Sequence, residues 1–466
     1  MSRAHYQNPP AARVTFEEWG ELFQKIPDEL IERYHYFPPN QESWSKYLFP
    51  PQTFALYGAR HLRRLKFDNS LACLRMWGFV QNETERLFRA RQTGRRVIAT
   101  MGDLGALPVI VNSFPGCLAF YPDCIWWTPF VMESNVLFEA AARLGIGEAS
   151  CFSRAALGAF AKHAYFPDPD LVIAATGASC DDYSGVEQLV EWLVGDVLWV
   201  ETPLRQEQNG GAVELLVEEY RRVVARLEEL TGHRLTPAEL SAGISRTNRV
   251  RRMVAQLRKL AYGQGVLPAL EMMVVEFGNL HYYSDIAEWT EIVAHLLALA
   301  RSRVQHGQRV LSEDALRLVW VTPPADPLLL CYVEDRGARV VGTEFVINQA
   351  LAEIDFCSVK TDRSDITQGL RAIARSFMAA SLIGTSRQRA ESVIRQAREQ
   401  GAEGIIVSGV FGGSHCAMES RLIADYVREA LDLPILEFDV GAPGPEIDRQ
   451  TLTRIDAFLE LLRSRR

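Results

Sequence analysis

A strand-length apolar run without polar alternation, Leu171 to Thr176, is the feature that most constrains the fold of this chain. A strand with one face in water alternates apolar and polar residues, so an unbroken run is typical of a strand that is covered on both faces. A helical pattern from Gly185 to Val194 follows it, and then a second strand pattern from Val197 to Pro203. This strand–helix–strand rhythm predicts a parallel sheet between layers of helices.

The same rhythm recurs near the carboxyl end, and a purely helical stretch separates the two regions. A length of 466 residues fits roughly two to four domains. We predict an α/β protein with two doubly wound, Rossmann-like lobes and parallel sheets. The predicted parts are a helical N-terminal extension, a first lobe, a helical segment and a second lobe, over residues 1–95, 96–205, 206–310 and 311–466. No shared motif marks the lobes as duplicates.

A capping-box motif marks the start of a long helix in the helical segment. Thr236 can cap the helix, Pro237 suits its first turn, and Glu239 completes the box. The motif therefore predicts a helix that begins at Pro237.

The composition argues against a nucleic-acid partner and against a membrane protein. The net charge is -8 at pH 7, whereas proteins that hold nucleic-acid phosphates present a basic surface. The most apolar stretches, 327–333 and 292–300, are much shorter than the about 20 residues that span a bilayer. The amino terminus shows no apolar signal core, so we expect a cytoplasmic location in which the 8 cysteines stay unpaired.

Three cysteines lie where predicted strands or turns meet loops and helices: Cys151, Cys180 and Cys416. Ligands of an open α/β sheet bind at the carboxyl ends of its strands, so these thiols are candidates for a shared metal centre. Their spacing alone leaves two alternatives open. The thiols are either small buried side chains, which spacing alone favours, or part of a zinc site completed by His415.

The other cysteines have simpler interpretations. Cys117 and Cys124 stand close to Trp126 and Trp127. They are either additional ligands of a larger centre or, as we favour, part of an ordered aromatic loop over the first lobe. The remaining cysteines are expected to be small buried side chains: Cys73, Cys331 and Cys357.

An ordered set of motifs surrounds the three thiols. It starts near Glu133, includes Cys151-Phe-Ser-Arg-Ala-Ala-Leu-Gly, and continues with a Pro-x-Pro-Asp strand from Pro167 that ends in Cys180. It resumes at Gly404 and passes through Cys416-Ala-Met-Glu-Ser-Arg-Leu to the last helix. Over these segments the chain resembles the 2-hydroxyacyl-CoA dehydratase and benzoyl-CoA reductase family.

The resemblance implies a [4Fe-4S] cluster on Cys151, Cys180 and Cys416, with the fourth iron open to substrate. It also implies an acyl-CoA thioester as substrate, a homologous second subunit or a second copy as partner, and an ATP-dependent activator protein as electron donor. The expected reaction is a radical elimination of water through a ketyl after one-electron reduction. The alternatives are reduction of an aromatic acyl-CoA ring and a non-catalytic iron-sulfur subunit that only relays electrons.

Five further residues beside the cysteines are candidate site residues. His415 and Glu419 are candidate catalytic groups, although a solvated loop histidine and a carboxylate at a helix start would look the same. Arg154 is a candidate ligand of a phosphate or thioester oxygen, with a structural ion pair as the alternative. Ser179 and Gly413 are assigned to substrate binding, where a glycine-rich turn can lend backbone amides.

Two other groups of charged residues have both a structural and a functional interpretation. Asp181 and Asp182 either cap the following helix, as we favour, or orient the site by hydrogen bonds. A basic face on the long helix is either solvated or a groove for the CoA nucleotide; it is formed by Arg249, Arg251 and Arg252.

Overall fold

The computed structural model confirms an α/β architecture with two parallel sheets. It describes residues 7–27, 29–30, 62–122, 135–148, 150–205, 210–281, 283–322, 326–345, 352–355, 365–440 and 448–466. Within these ranges, no helix combines the length and the apolar character needed to cross a bilayer.

The N-terminal region is mainly helical, as expected, and includes one short antiparallel ribbon. Its elements are β1 (Arg13–Val14), α1 (Phe16–Phe23), β2 (Phe67–Asp68), α2 (Leu71–Gln81) and α3 (Glu83–Gln92). Strand β1 pairs with β2, and α1 begins at a capping box formed by Thr15 and Glu18.

The first lobe holds a four-stranded sheet with the order β4-β3-β5-β6, and all its strand pairs are parallel. Its elements are β3 (Arg96–Thr100), α4 (Pro108–Val111), β4 (Cys117–Phe120), α5 (Asn135–Arg143), α6 (Arg154–Lys162), β5 (Leu171–Gly177), α7 (Asp181–Val194) and β6 (Val197–Thr202). The apolar run that predicted β5 is confirmed. Its missing alternation follows from burial on both faces, because Ile173 packs in one apolar cluster and Val172 in another.

The segment that begins at Cys117 is a strand, and our prediction of a loop was wrong there. Cys117–Phe120 forms the edge strand β4, and all four side chains are buried. The run is short and stands directly before an aromatic-rich stretch, so its strand pattern was not recognised. Cys124, Trp126 and Trp127 lie outside the described residues.

The described part of the helical segment forms four α-helices: α8 (Gly210–Thr231), α9 (Pro237–Gln264), α10 (Ala269–His281) and α11 (Ile286–Gln305). The capping box at the start of α9 is confirmed, because the Thr236 hydroxyl accepts from the Glu239 N–H and the Glu239 carboxylate accepts from the Thr236 N–H. Local chemistry therefore sets where this helix begins.

The second lobe repeats the arrangement with a sheet in the order β8-β7-β9-β10, again entirely parallel. Its elements are β7 (Leu316–Val321), α12 (Leu328–Asp335), β8 (Ala338–Glu344), α13 (Ile366–Met378), α14 (Ser386–Gln400), β9 (Gly404–Val410), α15 (Glu419–Ala430), β10 (Ile435–Val440) and α16 (Arg449–Ser464). Apolar side chains cover both faces of this sheet as well, with Trp320 in one cluster and Val319 in the other.

The two sheets share one strand order, which the sequence did not reveal. In each sheet the chain moves from the first strand to a neighbour on one side and then crosses to the other side. The crossing creates a switch point between β3 and β5 in the first lobe and between β7 and β9 in the second, where ligands of such sheets bind. Cys180 follows β5 and Cys416 follows β9, so the shared topology places these two thiols at corresponding positions.

Helix α13 packs on the first lobe although it follows β8 in sequence. Leu370, Ile373 and Phe377 belong to an apolar cluster that covers the first sheet. Gly105 makes room for this helix, because a Cβ at Gly105 would lie 2.1 Å from the Phe377 ring. The helix therefore ties the lobes together, and the predicted domain boundaries stay predictions.

A buried ion pair joins the N-terminal region to the helical segment. Arg303 of α11 donates to Asp68 of β2, with Nη2 3.1 Å from Oδ1, and both side chains are buried. Glu271 of α10 accepts from the Asp68 N–H at 2.9 Å and from the Trp77 indole at 3.2 Å. Burial, together with the charge of Asp68, raises the pKa of Glu271 to about 8.

We expect the Glu271→Gln variant to lose part of the pH dependence of stability. The folded chain raises the pKa of Glu271 from 4.5 to about 8, so the folded state binds this proton more tightly than the unfolded state. The resulting stabilisation is complete below about pH 4.5 and is lost as the pH rises through about 8. Urea unfolding measures the free energy of unfolding at about pH 5 and at about pH 8. Between these two pH values, this free energy should fall less in E271Q than in wild type, by roughly a few kcal/mol. Equal falls in both proteins would contradict the raised pKa.

Candidate metal centre

Cys180 lies where β5 meets α7, at the switch point of the first sheet. It is the N-cap residue of α7, close to the N–H groups that have no partner in the first helical turn. Gly177, just before it, has a φ of +98° and would place a Cβ 2.4 Å from the Thr202 carbonyl oxygen. Only glycine allows this turn so close to β6, and the turn delivers Cys180 to the sheet edge.

Cys151 lies in the turn before α6, next to the start of α7. Its backbone N–H donates to Asp182 Oδ1 at 3.3 Å. The backbone N–H groups of Ser153 and Phe152 donate towards its sulfur. Asp182 thus orients the Cys151 turn, the alternative that we had not favoured, and α7 has no side-chain cap among the described residues.

Cys416 lies in a π-helical turn, Ser414–Met418, between β9 and α15. Turns of this kind are rare and occur frequently at functional sites. The Ser420 hydroxyl donates to the Cys416 carbonyl, and the Ala417 N–H donates to the Gly413 carbonyl at 2.8 Å. A Cβ at Gly413 would lie 3.3 Å from the Cβ of Cys416, so any larger residue there would press on the turn.

The fold brings these three thiols together from two lobes. Cys180 belongs to an apolar cluster against which both Cys151 and Cys416 pack. After burial, the largest cause of the raised pKa of Cys180 is the charge of Cys151, and the same holds for Cys416. These mutual effects agree with the packing of the three side chains at one apolar cluster.

Burial keeps all three thiols protonated in the absence of a bound cation. It raises the pKa of Cys151 to about 11, although hydrogen bonds from Ser153 oppose the rise. It also raises the pKa of Cys180, with further contributions from the charges of Cys151 and Asp103. Three neighbouring buried thiolates require a cationic centre, and the binding of such a centre would release their protons.

The thiols do not converge on one point. No group of three or more His, Cys, Asp or Glu side chains within the described ranges is arranged to hold a single metal ion. A single zinc ion needs each thiolate sulfur at about 2.3 Å from the metal. An iron-sulfur cluster binds each thiolate through a different iron, so its thiolate sulfurs lie farther apart. The zinc alternative also involves His415, whose side chain lies outside the described residues.

Arg154 is buried at the start of α6 and shapes the Cys151 turn. Its guanidinium donates to the carbonyls of Ser150 and Cys151, the latter at 3.2 Å. It lies 4.5 Å from the centroid of the Phe138 ring, and burial lowers its pKa. These contacts favour a structural role, while contact with a phosphate or a thioester oxygen stays a prediction.

The remaining candidate residues also lie beside the thiols. Ser179 is buried next to Cys180. Glu419 is the first residue of α15, and its carboxylate accepts from Arg389 Nη1 at 2.8 Å. His415 belongs to the π-helical turn beside Cys416. The roles of these residues in substrate binding and catalysis stay predictions.

Three charged residues at the site were missed: Asp103, Glu344 and Arg389. Asp103 lies just after β3, and its charge raises the pKa of Cys180. Its position after an apolar strand run was a usable signal. Glu344 ends β8 and accepts two hydrogen bonds from Arg389 of α14, at 2.8 and 3.1 Å. No feature of the sequence distinguishes Arg389 from the other arginines of this polar helix.

The basic face that we predicted on α9 is divided by the fold. Arg251 is fully buried and donates to the Ala352 carbonyl at 2.8 Å. Arg252 pairs with Glu353 at 2.6 Å, and Arg249 is exposed. The interpretation of Arg251 as part of a solvated face was wrong, because the helix turns this side chain inward.

The thiols lie within a region that matches a known protein family. The family model described as 2-hydroxyglutaryl-CoA dehydratase, D-component, matches residues 132–462. The match begins next to Glu133, where the ordered motifs of the sequence begin, and it includes Cys151, Cys180 and Cys416. A search of curated proteins gives no match.

Proposed function

Because the chain belongs to the family of the 2-hydroxyglutaryl-CoA dehydratase D-component, we propose that it is the [4Fe-4S] catalytic subunit of a 2-hydroxyacyl-CoA dehydratase-like enzyme. The observation that carries the proposal is that three thiols from two lobes meet at one cluster of apolar side chains, which includes Cys180 and against which Cys151 and Cys416 pack. Cys151, Cys180 and Cys416 would each bind one iron and leave the fourth iron open.

The chemistry of the donor set fits such a cluster. Thiolates are its usual ligands, and hydrogen bonds to its sulfurs tune its reduction potential. Each thiol here lies at or before the start of a helix, where N–H groups favour negative charge. Backbone N–H groups of Ser153 and Tyr183 donate towards the sulfurs of Cys151 and Cys180, respectively.

The surroundings of the thiols are suited to exclude water. When bound, the cluster supplies one low-potential electron and an iron that can hold a substrate oxygen. Phe152, Tyr183 and Val410 are buried in the apolar cluster beside the thiols. A dry pocket protects a strongly reduced substrate from being quenched by water.

The remaining candidate residues would act on the substrate. We propose that His415 and Glu419 move the proton that accompanies loss of the hydroxyl group. Ser179 and Gly413 would hold the thioester at the two switch points, and Arg154 would either do the same or only shape the turn of Cys151.

A component of a dehydratase acts together with a partner subunit on an acyl-CoA. We propose that this partner is homologous to the chain and that an ATP-dependent activator delivers the electron. Elimination of water is redox-neutral overall, so one electron serves as a trigger and is recovered with the product. The aryl-CoA reductase and the electron-relay subunit stay as alternatives, and a cytoplasmic location stays a prediction.

Anaerobic purification followed by iron and sulfide analysis tests the cofactor. We expect about four irons and about four sulfides for each chain. Colourless protein that contains zinc would contradict the proposal and favour the zinc alternative.

A turnover assay tests the reaction. The chain, its partner and a Ti(III) reductant in place of the activator are mixed with 2-hydroxyglutaryl-CoA, and formation of the 2-enoyl-CoA is expected. Turnover of benzoyl-CoA alone would favour the reductase. An intact cluster without turnover of either thioester would favour the electron relay.

A further inference from the structure

A buried arginine connects the turn of Cys416 to the end of β8. Arg389 of α14 is 1 % exposed. Its Nε and Nη2 donate to the two carboxylate oxygens of Glu344 at 3.1 and 2.8 Å, and its Nη1 donates to Glu419 at 2.8 Å. A bidentate pair with one carboxylate fixes the plane of the guanidinium. Because Nη1 of that guanidinium donates to Glu419, the position of the Glu419 carboxylate is fixed as well.

The turn of Cys416 is held by hydrogen bonds within its own segment and by apolar packing of Cys416, whereas Glu419 connects it to another helix through an ion pair. Phe411, just before the turn, and Met418, its last residue, are 56 % and 76 % exposed. Helix α15, which follows, has no side-chain cap among the described residues. Glu419, its first residue, adds a tie to α14 through Arg389.

We propose that Arg389 is a positioning residue that holds Cys416 towards the two thiols of the first lobe. Glu344 fixes Arg389 to the sheet, and Arg389 in turn holds the carboxylate of Glu419. Glu419 lies three residues after Cys416, so this contact restrains the π-helical turn. The inference rests on the proposed function only for what the thiols bind.

Glu419→Ala is the variant that isolates this connection. Replacing Arg389 itself would leave Glu344 buried without its partner and endanger folding, whereas E419A keeps the Arg389–Glu344 pair. Glu429→Ala is the matched control, because Glu429 is an exposed carboxylate on the same helix. Glu419→Gln keeps a side-chain oxygen that accepts from Arg389, so the turn of Cys416 should stay nearly as ordered as in wild type.

Hydrogen exchange of the iron-free protein is the first measurement. In E419A, amides of residues 411–420 should exchange about tenfold faster than in wild type, while E429A and E419Q stay close to wild type. Unchanged exchange in E419A would overturn the positioning role. Faster exchange spread evenly over α14 and α15 would overturn it as well.

Release of iron to a chelator is the second measurement, on anaerobically loaded protein. E419A should lose iron about 10- to 100-fold faster than wild type or E429A, as expected when a residue that supports a metal ligand is lost. If wild type binds no iron but exchange in E419A is faster, the proposed function fails and the positioning role stands. If wild type holds iron and E419A releases it at the same rate, the positioning role fails and the proposed function stands.

Discussion

Replacement of Cys151, Cys180 or Cys416 by alanine is expected to remove most of the iron from the anaerobically purified protein. Each thiol would bind a different iron, so the loss of one leaves an incomplete set of protein ligands. We expect iron content and visible absorbance to fall at least about tenfold in each variant. Iron and sulfide analysis measures the effect, and a thermal unfolding curve confirms that each variant is folded.

Two other cysteines provide controls for this prediction. Cys331 is buried in an apolar cluster that includes neither Cys151 nor Cys180, and its sulfur accepts from the Lys66 N–H at 3.5 Å, so Cys331→Ala should keep its iron. Cys117 packs in the cluster on one face of the first sheet, whereas Cys180 packs in the cluster on the other. Cys117→Ala should therefore keep its iron too, and a loss there would support the larger centre. Unchanged iron in all three thiol variants of the site would end the assignment.

The Gly158→Ala variant is expected to destabilise the first lobe and to disturb the turn of Cys151. Gly158 lies in α6, and a Cβ there would lie 2.1 Å from the backbone carbonyl oxygen of Leu137 in α5. Backbone cannot rotate away as a side chain can, so α6 and α5 must separate. Overpacking of this kind costs about 1–3 kcal/mol, which urea unfolding measures. We also expect weaker retention of iron, because α6 carries the turn of Cys151.

A second helical glycine gives the opposite expectation. Gly185 lies in α7, and no described atom lies within 4 Å of the Cβ that alanine would add. Alanine there should stabilise the protein by about 0.5–1 kcal/mol, because glycine loses more backbone freedom on folding. Stabilisation by both substitutions would show that the contact between α5 and α6 is looser than described.

The local elements of this fold could be predicted because their causes lie close together in the sequence. Burial on both faces left an unbroken apolar run in β5, and a capping box placed the start of α9 at Pro237. The edge strand β4 was not predicted, because its four residues carry too little periodicity to distinguish a strand from an aromatic loop. The shared strand order escaped because parallel pairing is made between segments that are far apart in the sequence.

For the site, the sequence alone determined the candidate thiols and, through an ordered set of motifs, the family that the match confirms. The tertiary structure decided which of these side chains meet, since Cys416 reaches Cys151 only when both lobes are folded and packed together. It alone decided that Arg389 and Glu344 are buried beside Cys416 and that α13 covers the first sheet. A periodic pattern records which face of an element is buried, but the partner across that face is set by long-range packing.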